Sequence, residues 1–398
     1  MVAHKHTILY LKYNKYICAK LKNTIVENFK DLGVGKDFVK GLDDMKIFVP
    51  TDIQSQVIPL LLKTNTDLVG QAQTGTGKTA AYGLPLLHKI NPKKNAVQAL
   101  ILCPTRELGQ QVAKQLFKFT KYSDKIFTEA VYGGAPIDRQ MAALRRPTHI
   151  IVATPGRLID LVNKKAVDLS AVKTIILDEA DEMLSMGFKK ELDQILSFCS
   201  SAQNRWLFSA TIPNGIKQII DKHMSPNAHK IEVSGRNVVN KKIEHQYILV
   251  EENDKLFALI QFLKSEGDNR GMVFCKTKVA AQTLAKQLIA KNIPADAIQG
   301  DMLQKERDKV MRAFKNKNLQ VLIATDIAAR GIDIEGLSFV VHYQLPDKEE
   351  YYTHRSGRTA RAGKEGVSLC FVTPKEKKQI GFFQKALGIG FKQIRQVK

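Results

Sequence analysis

Short β-branched and apolar runs alternate along the chain with longer segments whose apolar residues recur every three or four positions. In the first half the runs are Ala99–Cys103, His149–Ala153, Thr174–Leu177 and Trp206–Phe208, each the length of one buried strand. Between them lie segments such as Glu107–Tyr122, where Leu108, Val112, Leu116 and Phe119 fall on one helical face. A second set begins after residue 243, with runs at Gly271–Phe274, Val321–Ala324, Phe339–Tyr343 and Val367–Phe371. Its helical segments carry Leu256, Ile260 and Leu263, then Leu284 and Leu288. Strands alternating with helices predict an α/β protein with parallel sheets covered on both faces. Residues 234–242 (SGRNVVNKK) have no periodicity and separate the two sets, so they are the expected linker between two lobes.

Length and composition narrow this picture. The 398 residues suit two or three domains of about 150 residues each. With 44% hydrophobic and 25% charged residues the chain can bury real cores, which excludes a disordered scaffold. Five scattered cysteines, Cys18, Cys103, Cys199, Cys275 and Cys370, include no C-x-x-C pair and argue against a disulfide framework or zinc ribbon. The expected compartment is a reducing cytoplasm. The apolar stretch Ile8–Ala19 is interrupted by Lys12, Asn14 and Lys15, too short and too charged to span a bilayer.

Charge changes the picture most. A formal net charge of +22 favours a polyanionic partner, and nucleic acid leads. The first thirty residues set six lysines against Glu27, and residues 373–398 set seven basic groups against Glu376, so the two ends supply half of the excess. Such ends are ordinarily solvated flanks; the functional alternative is extra phosphate contact.

Three strings carry chemistry. After the short apolar run Asp67–Gly70 comes Ala72-Gln73-Thr74-Gly75-Thr76-Gly77-Lys78-Thr79, with a helix expected behind it. Glycines let backbone N–H groups close around phosphate oxygens, Lys78 supplies charge to the β and γ phosphates, and the Thr79 hydroxyl suits Mg²⁺. Ala72 replaces the first glycine of the strict pattern. The second string, Asp178-Glu179-Ala180-Asp181, ends the strand Thr174–Leu177. Acids at the C-terminal edge of a parallel strand stand where such sheets bind ligands, one carboxylate suited to the metal shell and the next to a water. Ser209-Ala210-Thr211 follows another strand, with hydroxyls placed to bond those acids. In the second lobe, His354-Arg355-Ser356-Gly357-Arg358-Thr359-Ala360-Arg361 spaces guanidinium groups by three, which predicts one face of a helix and a charge suited to a transferring γ-phosphoryl group.

In order, the chain reads Phe29, Pro50-Thr51-Asp52-Ile53-Gln54, AQTGTGKT (72–79), PTREL (104–108), Gly133-Gly134, TPGR (154–157), DEAD (178–181), SAT (209–211), Gln304 with Arg307, ATDIAARGID (324–333) and HRSGRTAR (354–361). From residue 27 to 380 it resembles the DEAD-box ATP-dependent RNA helicases. The segment LDEADEMLSMGF (177–188) looks most like the bacterial cold-shock and ribosome-assembly branch. The resemblance implies two tandem RecA-like parallel-sheet domains joined by a short flexible linker. The expected divisions are a basic extension (1–25), an ATP-binding domain (26–233), the linker (234–242) and a C-terminal helicase domain (243–398).

It also implies site residues. Gln54 would read adenine while Phe29 stacks on the base. Thr74, Gly75, Thr76, Gly77, Lys78 and Thr79 would hold ATP, with Thr79 and Asp178 serving Mg²⁺ and Glu179 activating water. Asp181, Ser209 and Thr211 would couple hydrolysis to strand separation. From the second lobe Asp333 would bind the ribose, and Arg358 and Arg361 would act as arginine fingers. RNA contacts would come from Pro104, Thr105, Arg106, Gly134, Thr154, Arg157, Arg307 and Thr325, mostly onto the sugar–phosphate backbone.

Two departures stand out. Lys46-Ile47 replaces a usual Gly-aromatic pair, and the first 25 residues match nothing in the family. A minimal core or a shortened chain is expected, since no C-terminal RNA-binding module follows. The expected protein is a cytoplasmic monomer that remodels RNA or RNA–protein complexes, with ribosome-assembly or RNA-decay proteins as partners. An ATP-gated RNA clamp that does not unwind and a translocating DNA helicase are the alternatives.

Overall fold

A computed structural model describes residues 28–395, apart from 74, 200–201, 234–241, 301, 330–331, 333, 335 and 361–363. The expected extension 1–25 and nearly all of the expected linker lie outside the described residues.

The first sheet contains β1 (Leu68–Gln71), β2 (Ala99–Leu102), β3 (Thr128–Val131), β4 (Ile150–Ala153), β5 (Thr174–Leu177), β6 (Asn204–Ser209) and β7 (His229–Glu232). Their order is β3-β4-β2-β5-β6-β1-β7, and every pairing is parallel. The second contains β8 (Ile243–Leu249), β9 (Gly271–Phe274), β10 (Ala295–Ile298), β11 (Val321–Ala324), β12 (Phe339–His342), β13 (Gly366–Val372) and β14 (Lys392–Gln393). Its order, β10-β11-β9-β12-β13-β8-β14, is again parallel throughout.

Continuous apolar runs make these strands because both faces of each sheet are covered. In β2, Ala99 and Ile101 enter one core while Leu100 and Leu102 enter the core on the opposite face. The same alternation splits Ile176 from Ile175 and Leu177 in β5, and Met272 and Phe274 from Val273 in β9. The helix Arg106–Phe119 buries Leu108, Val112, Leu116 and Phe119 as the sequence predicts, and it stops three residues before the expected Tyr122. Thr105 caps it, its hydroxyl accepting from Leu108 N at 3.3 Å.

Strands β3, β7, β8, β10 and β14 escaped the sequence reading; all but β8 are sheet edges, and β8 lies next to one. There polar residues such as His229, Lys230 and Glu232 replace the apolar signal. The four described cysteines, Cys103, Cys199, Cys275 and Cys370, are free and buried. Among the described residues no helix is long and apolar enough to cross a membrane.

The C-terminal edges of the two sheets meet through charged pairs. Arg307, after β10, pairs with Glu107, after β2, at 2.7 Å, and His354 Nδ1 reaches Glu182, after β5, at 2.7 Å. Arg106 and Asp308 add a looser pair at 3.6 Å.

Candidate nucleotide and nucleic-acid site

The loop after β1 turns sharply into the helix Lys78–Lys89. Gly75 and Gly77 have φ of 79° and 86°, the left-handed region where a side chain is strained. At Gly77 space is also lacking, since a Cβ would stand 2.2 Å from Gln54 Nε2. Gln54 Nε2 donates to Gly77 O at 3.0 Å, Gln54 Oε1 accepts from Thr51 N at 2.9 Å, and Thr51 Oγ1 donates to Thr76 O at 2.8 Å. The Gln54 amide is therefore built into the loop and retains one N–H and one lone pair for a further partner. Lys78 is buried, its Nζ donating to Ala72 O at 3.0 Å. Free N–H groups at the start of this helix make the loop a cradle for an anion.

Phe29 requires a correction. Its ring is 1% exposed and belongs to the core beneath the first sheet, so neither face is open to stack on a base. A sequence motif gives the residue type but not its burial.

Asp178 and Glu179 emerge from β5, two strands from β1, with β6 between them. Asp178 is 3% exposed; Tyr82 Oη donates to its Oδ2 at 2.8 Å. The other oxygen, Oδ1, is buried without a hydrogen-bond partner. An orphaned carboxylate oxygen beside a phosphate cradle fits a hard divalent cation such as Mg²⁺, which takes few protein oxygens and completes its shell with water and phosphate. Burial pushes the Asp178 carboxyl up, opposed first by the Lys78 charge and then by the Tyr82 hydrogen bond. Glu179 is half-buried; burial raises its pKa too, against the charges of Lys78 and of Arg358 from the second lobe. Its φ of 51° is left-handed, a conformation costing about 1–3 kcal/mol that the surrounding packing must hold.

The three residues expected to couple the site come together as the sequence suggested. Asp181 Oδ2 accepts from Thr211 N and Thr211 Oγ1, both at 2.9 Å. Asp181 N donates to Ser209 Oγ at 3.2 Å, and Ser209 Oγ donates to Thr211 O at 2.7 Å.

The arginine string divides differently from expectation. The helix Glu349–Ser356 ends at Gly357, and Arg358 N and Thr359 N make tight turn bonds to Arg355 O and Ser356 O. Arg358 thus lies beyond the helix and shares no helical face with Arg355; spacing by three held, but the glycine ends the spiral. Arg358 Nη1 donates to Ile332 O at 2.7 Å, and its charge bears on Glu179. Arg355 is buried and bidentate to Asp326, Nε to Oδ1 at 2.6 Å and Nη2 to Oδ2 at 2.7 Å. It holds the segment after β11, a partnership that spacing did not reveal. Thr74, Asp333 and Arg361 lie outside the described residues.

The positions expected to touch RNA gather on loops after adjacent strands. Pro104, Thr105 and Arg106 follow β2; Gly134, with φ 77°, follows β3; Thr154 and Arg157 follow β4. Gly133 N donates to Thr154 Oγ1 at 3.4 Å, Arg157 Nη1 to Ala135 O at 3.0 Å, and the Arg106 guanidinium lies 4.5 Å from the Tyr132 ring centre. Opposite them, Thr325 follows β11, and Arg307 Nη2 donates to Ala328 O at 2.7 Å. A Cβ on Gly134 would stand 3.9 Å from Gln304 Oε1, so the two halves of this set face each other.

Comparison with known proteins agrees with this geometry. The DEAD/DEAH box helicase family matches residues 51–219, and the helicase conserved C-terminal domain matches residues 254–363. The DEAD-box ATP-dependent RNA helicase CshA of Geobacillus kaustophilus is 42% identical over 358 residues, covering 90% of this chain and 76% of that protein. CshA of Bacillus cereus is 41% identical over 352 residues, covering 88% of this chain; the chain spans 66% of that relative's length. Among solved structures, S. cerevisiae Dbp5 bound to RNA and ADP BeF3 superposes with a TM-score of 0.85 at 31% identity, over 93% of this chain and 96% of that one. Mss116p bound to ssRNA and AMP-PNP gives 0.81 at 26% identity, over 93% and 78%. Two RecA-like α/β domains, a phosphate loop, the DEAD acids and this degree of identity lead to one conclusion: the chain belongs to the DEAD-box helicase family.

Proposed function

We propose that this protein hydrolyses ATP in response to RNA and uses the cycle to open short RNA duplexes or remodel RNA–protein complexes. The observation that carries the reading is that the arginine string of the second lobe reaches the acids of the first, His354 Nδ1 lying 2.7 Å from Glu182. A hydrolytic site divided in this way is complete only when the lobes close, so nucleotide state governs shape. The names of its relatives, ATP-dependent RNA helicases and helicases bound to RNA, support the choice of substrate.

In this reading residues 26–233 form the ATP-binding domain, 234–242 the linker and 243–398 the second domain. Gly75, Gly77 and Lys78, with Thr74 and Thr76, grip the phosphates, and Gln54 uses its remaining amide valences on adenine. Thr79 and Asp178 hold Mg²⁺, which when bound neutralises charge on the phosphates. Glu179 accepts a proton from the attacking water. Arg358, with Arg361, stabilises charge developing on the γ-phosphoryl group, and Asp333 holds the ribose. Asp181, Ser209 and Thr211 relay closure, while Thr105, Arg106, Gly134, Thr154, Arg157, Arg307 and Thr325 grip the RNA backbone along the cleft.

Because RNA and ATP would each bind the closed form better, their affinities are coupled in both directions. Steady-state ATPase with no nucleic acid, with RNA and with DNA tests the reading. Stimulation by RNA alone is expected; stimulation by DNA alone, or no ATPase under any condition, sinks it. Release of a labelled strand from a short duplex separates the helicase from the clamp. Cytoplasmic residence, a monomeric state and partners among ribosome-assembly or RNA-decay proteins complete the proposal.

A further inference from the structure

Tyr82 interrupts a buried apolar stretch. Its neighbours on the helix Lys78–Lys89, Ala80, Ala81, Leu84, Leu86 and Leu87, are all core residues, whereas Tyr82 carries a hydroxyl into the interior at 0% exposure. A buried phenol needs a partner. It finds one 96 positions away, donating to Asp178 Oδ2 at 2.8 Å, while its ring rests 5.2 Å from that of Phe208 in β6. Thr79 lies one turn earlier on the same helix, three residues before Tyr82.

From this arrangement we infer that Tyr82 is a positioning residue for the divalent cation of the nucleotide site, an inference that rests on the nucleotide reading above. The proton count supplies the reason. Tyr82 has one hydroxyl proton and spends it on Asp178 Oδ2, which fixes that carboxylate from the helix side. Asp178 Oδ2 is occupied and Oδ1 is left without a partner. The carboxylate is thereby held through Oδ2 with Oδ1 left to accept, the kind of oxygen donor a hard cation selects. With phenylalanine at this position the ring volume is kept, but Asp178 Oδ2 loses the hydroxyl that fixes the carboxylate. Partners one step removed from a metal typically alter its affinity by about ten- to a hundredfold.

The experiment compares the full chain with Tyr82→Phe. Mn²⁺ binding to the ADP complex is followed by electron paramagnetic resonance, and ADP affinity is measured separately in EDTA. Mn²⁺ affinity is expected to fall about tenfold or more in the variant, with ADP affinity in EDTA unchanged. Equal Mn²⁺ affinity in the two proteins overturns the assignment. So does an equal loss of metal-free ADP binding, which would make Tyr82 a packing residue. Failure of the wild-type protein to bind ADP at all would instead remove the nucleotide reading, and this inference with it.

Discussion

The Arg307 guanidinium stands 2.7 Å from the Glu107 carboxylate, joining the start of a helix in one lobe to the start of a helix in the other. Both side chains are mostly buried, at 12% and 22% exposure, so the pair is shielded from the salt that screens surface ion pairs. Arg307 is also proposed to hold an RNA phosphate. Carboxylate and phosphate then compete for one guanidinium.

Arg307→Ala should therefore weaken single-stranded RNA binding by about tenfold and lower the salt slope of log K by about one, as one phosphate contact is lost. Glu107→Gln should move affinity the other way by removing the competing anion. Fluorescence anisotropy across a salt series measures both. Equal weakening in the two variants would make the pair a clasp between lobes and not a competitor of RNA.

The catalytic assignments separate binding from chemistry. Glu179→Gln should retain ATP affinity and lose hydrolysis by about 10²-fold or more. Arg358→Ala should also bind nucleotide, while RNA-stimulated turnover falls by about 10³-fold. Lys78→Ala should impair both. Single-turnover ATPase with parallel nucleotide titrations distinguishes the three, and full activity in any one of them removes that residue from its role.

Lys46 occupies φ 58° on the surface, at the position where the resemblance drawn from the sequence leads one to expect glycine. A left-handed lysine costs about 1–2 kcal/mol, and glycine recovers that less its greater freedom when unfolded. Lys46→Gly should raise stability by about 0.5–1 kcal/mol in urea denaturation. No gain would show that Lys46 is unstrained.

Leu303 caps the helix Gln304–Lys315 at 70% exposure. Leucine has no oxygen to accept from the first turn, so only the reverse half of a capping box exists, Leu303 N donating to Glu306 Oε2 at 3.3 Å. Leu303→Ser should stabilise the second lobe by about 1 kcal/mol. A lower melting temperature would mean that the exposed leucine packs against something its exposure does not suggest.

Burial pushes His245 down to about 4 in the folded protein, and burial together with the Arg355 charge holds His342 well below its usual range. Both are neutral in the fold and protonate near 6.5 when unfolded, so between these values the unfolded state binds more protons. Stability should be full above pH 6.5 and decline as the pH falls toward 4, by on the order of 3 kcal/mol for His245. Denaturant midpoints at pH 7 and pH 5 test this, and His245→Phe should flatten the dependence. A midpoint unchanged with pH in the wild-type protein would refute it.

Central strands were legible because their entire length is apolar. Strands β5, β9 and β11 match their sequence runs residue for residue, whereas the edge strand β7, written His-Lys-Ile-Glu, carries no such signal. Phosphate loop, acids and Ser209-Ala210-Thr211 were legible for a related reason: each follows a buried strand and so emerges at the same edge. Burial and long-range partners were not legible. Nothing local distinguishes a core Phe29 from one on a binding surface, and the Tyr82–Asp178 and Arg355–Asp326 bonds join segments far apart in sequence. The expectation of a shared helical face failed on one residue, Gly357, which ends the helix inside a string that otherwise suits one.

The left-handed backbone at Glu179 bears on how this machine fails when warmed. That peptide unit keeps its shape only through the company of its neighbours, and it would be among the first to relax once they loosen. Its carboxylate would then drift from the water it is proposed to prime while both sheets remain intact. Such an engine would idle before it melts, turning over no fuel at temperatures where its circular dichroism still reports a native fold.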